Sequence, residues 1–115
     1  MLTTARTRDG NVVRLTLRGT AESEAVEKLE SALAGAHDDA ITAPEGRVTV
    51  DLSELEFATS SCIKVLASWL LEANALESPY TIVFLTSTKH SWQRRSLAAM
   101  TACAPTVASI EHVAV

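Results

Sequence analysis

The stretch Val48-Thr-Val-Asp-Leu-Ser-Glu-Leu-Glu-Phe-Ala-Thr-Ser-Ser-Cys-Ile-Lys-Val-Leu66 decides the fold, because its two ends obey different periods. Val48, Val50 and Leu52 alternate with Thr49, Asp51 and Ser53, which lets a strand bury one face. Ile63, Leu66, Ala67, Leu70 and Leu71 fall instead at i, i+3, i+4, i+7 and i+8, the stripe of a half-buried helix. Between them lie three hydroxyls, Thr59, Ser60 and Ser61, at a strand-to-helix junction. Thr59 and Ser60 are candidate N-caps, since a hydroxyl oxygen accepts from N–H groups that a first turn leaves unpaired. By residue type alone an ordinary cap is the first reading. The same donors, with the positive end of the helix dipole, also accommodate a phosphate, which would add about −1.5 to −2 charge to that surface.

Outward from this junction, the pattern extends in both directions. Residues 1–7 and 11–18 around Asp9-Gly10 fit a hairpin, with Val13, Leu15 and Leu17 on one face. Thr20 reads as the cap of a helix whose apolar face uses Ala25, Val26, Leu29, Ala32 and Leu33 and which Gly35 stops. Residues 37–47 read as a loop. After Ser78-Pro79, residues 80–85 form a strand with so little alternation that both faces should be covered. Ser91 is a cap for a helix over 92–102, Pro105 ends it, and Val107 opens a last apolar stretch to Ile110. Alternating strands and helices imply an α/β layer domain whose later strands are parallel.

The central stretch resembles the signature of the STAS domain, the fold of bacterial anti-sigma-factor antagonists. Asp51, Leu52 and Ser53 match the end of its hydrophobic strand, Phe57 the apolar position before the motif, and Ser60 and Ser61 its serine pair. Two residues depart from the pattern: Thr59 stands where the family usually has Asp, and Cys62 where it usually has Gly. The resemblance implies one STAS-like α/β domain over residues 1–115, with a mixed, mostly parallel sheet and packed helices. It further implies a partner-switching regulator that binds a serine kinase acting as an anti-sigma factor. Ser61 falls on the phosphorylated serine, with Ser60 and Thr59 as secondary acceptors or capping hydroxyls. A PP2C-type phosphatase would reverse the modification. Cys62, Ile63 and Lys64 are expected partner contacts, and the reading leaves room for a homodimer. A STAS-type scaffold or assembly subunit that is never phosphorylated is the alternative, favoured by the missing Asp and Gly.

Lys-His-Ser-Trp-Gln-Arg-Arg over residues 89–95 is a second constellation. It reads first as a solvated helix start with Trp92 tucked on the core. As a functional surface, Trp92, Arg94 and Arg95 would add a protein contact, because Trp and Arg often carry interface energy.

Composition narrows the class. The chain has 115 residues, enough for a core without disulfides or metal, and a formal net charge of −4 that argues against nucleic acid as principal ligand. No apolar run approaches the roughly 20 residues of a membrane helix and no secretion signal is recognisable, so a cytoplasmic location is expected, without membrane association. Cys62 and Cys103 lack metal-type spacing and are expected as free thiols. His37, His90 and His112 are scattered, and the glycine-free turn at residues 57–63 cannot wrap a phosphate as a nucleotide loop does. No catalytic or metal site and no cofactor is expected. A small redox or hydrolytic enzyme would have to use Cys62 at the helix N-terminus, where a thiolate is favoured.

Overall fold

The computed structural model describes residues 1–43, 46–77 and 79–113. Its elements are β1 (Leu2–Asp9), β2 (Val12–Ala21), a short 3-10 turn (Ser23–Ala25), α1 (Val26–Ile41), β3 (Arg47–Ala58), α2 (Ser60–Asn74), β4 (Thr81–Ser87), α3 (Ser91–Thr101) and β5 (Ala108–Val113). The strands form one sheet in the order β1-β2-β3-β4-β5. Only β1 and β2 are antiparallel, joined through Gly10 at φ 62°; the other neighbours run parallel. Parallel neighbours need crossovers, and the usual right-handed crossover, stepping each time in one direction, puts its helix on one face, where α1, α2 and α3 pack in one apolar cluster with the sheet.

The registers put Leu15, Val50, Phe84 and Ile110 in one row across the sheet, beside a second row of Val13, Val48, Ile82 and Ala108. These rows pack with Leu29, Leu33, Leu66, Leu70 and Leu97 of the helices in one apolar cluster. The opposite face is polar. There Arg14 meets Asp51 at 2.9 Å, Arg18 meets Glu54 at 3.0 Å and Arg47 meets Glu111 at 4.0 Å. β4 was expected to be covered on both faces; helices cover one, and Val83 is buried on the other within the row Arg14, Thr49, Val83, Ser109.

Several local expectations are corrected. β2 continues through Gly19 and Thr20 to Ala21, so Thr20 does not cap the helix; Glu22 holds the cap position of the 3-10 turn without a side-chain bond. Gly35 does not stop α1, because Ala36 and Ala40 continue the buried stripe, and the missing Cβ makes room for the Arg6 guanidinium. The predicted loop therefore loses residues 37–41 to the helix. On α2, Leu71 is exposed, while Cys62, Trp69 and Ala73 join Leu66 and Leu70 inside. His90, not Ser91, occupies the cap position of α3, again without a side-chain bond. Pro105 and Val107 lie past the end of α3, as read from the sequence. Ser78 lies outside the described residues.

Candidate functional site

The site begins with an irregularity in β3. Along β2 the pairing steps from Thr16↔Asp51 to Arg18↔Glu54, and from Gly19↔Leu55 to Thr20↔Phe57, so β3 twice carries one residue more than its partner. Each such bulge reverses the alternation of faces. Leu52 and Leu55 are both buried despite their odd spacing, whereas Phe57 is turned outward and is 48 % exposed. β3 pairs with β4 only as far as Asp51↔Leu85, which leaves later carbonyls without a partner in the ladder. Gln93 fills that role. Its Nε2 donates to Leu52 O at 2.7 Å and Leu55 O at 3.0 Å, and its Oε1 accepts from Ser87 N at 3.0 Å. One buried carboxamide thus ties the ends of β3 and β4 to α3.

The chain then turns into α2. Thr59 N donates to Ala21 O at 2.9 Å, fixing the junction to the end of β2. Thr59 has extended backbone angles, φ −73° and ψ 163°, and its Oγ1 accepts from Cys62 N at 3.5 Å, while its carbonyl accepts from Ile63 N at 3.0 Å. Thr59 is therefore the N-cap. Ser60 and Ser61 are the first two residues of α2 and both are exposed. No acidic residue occupies that first turn, so the positive end of the helix dipole meets no fixed anion of its own helix there.

Cys62 points the other way. It is fully buried, and its thiol donates to Glu22 O at 3.4 Å. The expectation that Cys62 touches a partner is corrected, because the first helical turn rotates position 62 onto the core stripe. The same burial removes the accessibility that a reactive thiol requires. Ile63 is partly buried against the core, and Lys64 is exposed on the rim of a groove of about 340 Å³ between α1 and α2.

The second constellation sits on a separate element. Trp92 is partly buried against the core, with an indole N–H that has no partner among the described residues. Arg95 is exposed, and the side chain of Arg94 lies outside the described residues. Between them on α3 lies Gln93, which ties that helix to the ends of β3 and β4 and which the sequence reading passed over. Its position was legible: Gln93, Leu97 and Met100 fall at i, i+4 and i+7, so a polar residue occupies the buried stripe of α3.

Two ionisable groups near the sheet ends are perturbed. Partial burial pushes the Asp51 carboxyl up, but hydrogen bonds from the Ser53 hydroxyl at 2.6 Å and amide at 3.0 Å, with Arg14, outweigh it and hold the pKa below the usual carboxylate value. Burial pushes the Tyr80 hydroxyl up to about 12, against the bond from Trp69 and with help from the Glu72 charge. Among the described residues no three His, Cys, Asp or Glu side chains gather to hold a metal ion, and no helix is long and apolar enough to cross a membrane.

Comparison with known proteins agrees with this fold. The crystal structure of an anti-sigma factor antagonist from Mycobacterium paratuberculosis superposes with a TM-score of 0.71 at 20 % identity, covering 91 % of this chain and 84 % of that one. The Bacillus cell fate determinant SpoIIAA in its phosphorylated form gives 0.60 at 16 % identity, with 96 % and 91 % covered. No curated protein matches the chain in sequence. The family model described as Mlab, STAS domain matches residues 4–101, and the chain belongs to the STAS domain family.

Proposed function

We propose that this protein is a non-enzymatic partner-switching regulator of the anti-sigma-factor-antagonist type, acting in the cytoplasm and controlled by phosphorylation of Ser61. The observation that carries the reading is the exposed Ser60-Ser61 pair in the first turn of α2, capped by Thr59 and flanked by the outward-turned Phe57. A solved relative in its phosphorylated form lends support. The partner is a serine kinase of the anti-sigma type, which supplies the nucleotide and metal, and a PP2C-type phosphatase resets the switch.

The mechanism is electrostatic. A phosphate on Ser61 is compatible with the helix, whose first N–H groups and dipole favour negative charge. The same charge inserted into a packed interface lacks a counter-ion and must be desolvated. A penalty of about 3 to 4 kcal/mol weakens binding several hundred-fold. Phe57 would anchor the partner, Lys64 would continue the contact along α2, and Arg95 would extend it from α3.

The test is intact-mass and peptide mass spectrometry of protein from its native cells, with binding of Ser61→Ala and Ser61→Asp measured against co-purifying kinases. Phosphate on Ser61, with binding kept by Ser61→Ala and lost by Ser61→Asp, supports the switch. Absence of phosphate under every growth condition, with equal binding by both variants, supports instead a non-phosphorylated scaffold. The specific observation favouring that second reading is Thr59, which caps the helix but offers no carboxylate beside the serines.

A further inference from the structure

Away from the serines, four side chains from α1, α2 and the segment leading into β4 meet behind the groove. Trp69 of α2 donates from Nε1 to the Tyr80 hydroxyl at 2.8 Å. His37 of α1 places Nδ1 2.6 Å from the same oxygen and Nε2 3.4 Å from Glu72 Oε1 on α2. The His37 and Tyr80 rings meet edge to face at 5.5 Å, and the Trp69 ring sits edge-on to Phe84 of the sheet at 6.4 Å. Tyr80 and Trp69 are buried, whereas the His37 side chain retains 14 % exposure and lines the groove.

One arrangement of protons gives every polar hydrogen of the group a partner. An indole N–H only donates, so the Tyr80 oxygen accepts from Trp69 and has a single proton to give. With hydrogen on Nε2, facing the Glu72 carboxylate at 3.4 Å, Nδ1 of a neutral ring is bare. Tyr80 O–H therefore donates to Nδ1, and each polar hydrogen in the relay has a partner.

We propose that His37 is a proton-sensitive latch between α1 and α2. When Nδ1 takes a proton from solvent, its lone pair becomes an N–H bond and can no longer receive the Tyr80 hydrogen. Two N–H groups, from Trp69 and His37, then converge on one oxygen whose own hydrogen has lost its acceptor in a buried site, a costly arrangement. The imidazolium is drawn to the groove side instead. The charged groups there are Glu30 and Asp38 from α1 and Glu72 and Lys64 from α2, three anions against one cation; Tyr80 is the titratable group on the segment leading into β4. Protonation thus releases Tyr80, leaves His37 held through Glu72 alone and loosens the seam that positions α2. The device does not depend on phosphorylation of Ser61.

Nuclear magnetic resonance of the full chain, isotopically labelled and titrated between about pH 5 and 8, where histidine changes charge, tests it. The expected result is that the Trp69 indole N–H and Tyr80 ring signals shift with the same midpoint as His37, and that the His37–Tyr80 ring contact is lost below it. Persistence of that contact on both sides of the midpoint overturns the latch. In Tyr80→Phe the Trp69 signal ceases to follow the His37 ring signals; continued following overturns the proposal as well. In His37→Gln the shared inflection disappears, and its survival there would mean that another group drives it. Should that variant not fold, Tyr80→Phe decides alone.

Discussion

Gln93 and Leu55 are joined across the sheet end by a hydrogen bond of 3.0 Å from the carboxamide to a backbone carbonyl, where β3 has left the ladder with β4 but not yet reached the serine turn. Gln93 is 1 % exposed, so neither water nor another strand can replace it. The bulged segment that presents Phe57 and Thr59 is held from behind by this one side chain.

Gln93→Leu is therefore expected to cost more than a surface substitution. It keeps the volume approximately but orphans the carbonyls of Leu52 and Leu55 and the amide of Ser87, with unsatisfied buried groups costing about 1–3 kcal/mol each before relaxation. A net loss of about 2–4 kcal/mol in urea denaturation is expected. A loss within about 0.5 kcal/mol, the range of surface substitutions, would show that the carbonyls find other partners.

The hydroxyl cap can be separated from any signalling role by stability alone. Thr59→Ala removes the acceptor for Cys62 N and should cost about 0.5–1 kcal/mol, the lower part of the capping range because the bond is long at 3.5 Å. Thr59→Asp keeps an acceptor and adds a charge favoured by the dipole, so its stability should equal or exceed the native value. Thermal unfolding at low ionic strength measures both. An Asp variant weaker than the Ala variant would contradict the cap geometry.

Much of this architecture was legible because local and tertiary preferences agree. Alternation at Val48, Val50 and Leu52 and the helical spacing of Leu66 and Leu70 mark surfaces that do become core. The reading failed where a partner distant in sequence decides the outcome. Gly35 looks like a stop until Arg6 is seen crossing it, and Leu71 looks buried until the true stripe runs through Cys62 and Trp69. The burial of Leu55, three residues after Leu52, follows from the first bulge against β2, which no periodicity within β3 reveals. Ser60 and Ser61 were found by motif, while the His37–Tyr80 contact spans 43 residues and left no local mark.

Phe57 supplies a test of the interface that leaves the serines untouched. Because it is 48 % exposed and paired with Thr20 at the sheet's end, Phe57→Ala should change folding stability by less than about 1 kcal/mol. If the aromatic ring anchors a partner, the same change should weaken binding by roughly ten-fold or more. Calorimetric titration against the co-purifying kinase reads this directly. Unaltered affinity would move the contact surface away from the sheet end.

Asp51 gives a pH dependence whose sign is fixed. Its folded pKa is depressed below the ordinary value of 3.8, with hydrogen bonds from Ser53 and the Arg14 guanidinium overcoming the effect of burial. The unfolded chain therefore takes up a proton at Asp51 more readily than the folded one, and the stability this group confers is present above the unfolded pKa and lost as pH falls through the folded one. Asp51→Asn removes the titration while keeping an oxygen for Ser53. At neutral pH the variant should be less stable by about 1 kcal/mol, the scale of one charge-assisted hydrogen bond shared with solvent. As pH falls below the ordinary value of 3.8 the two unfolding midpoints should begin to converge, because the unfolded carboxyl takes up its proton first, and they should meet only once the folded carboxyl is protonated too. A gap that stays constant from neutral pH to that range would assign the stabilisation to shape and packing instead of charge.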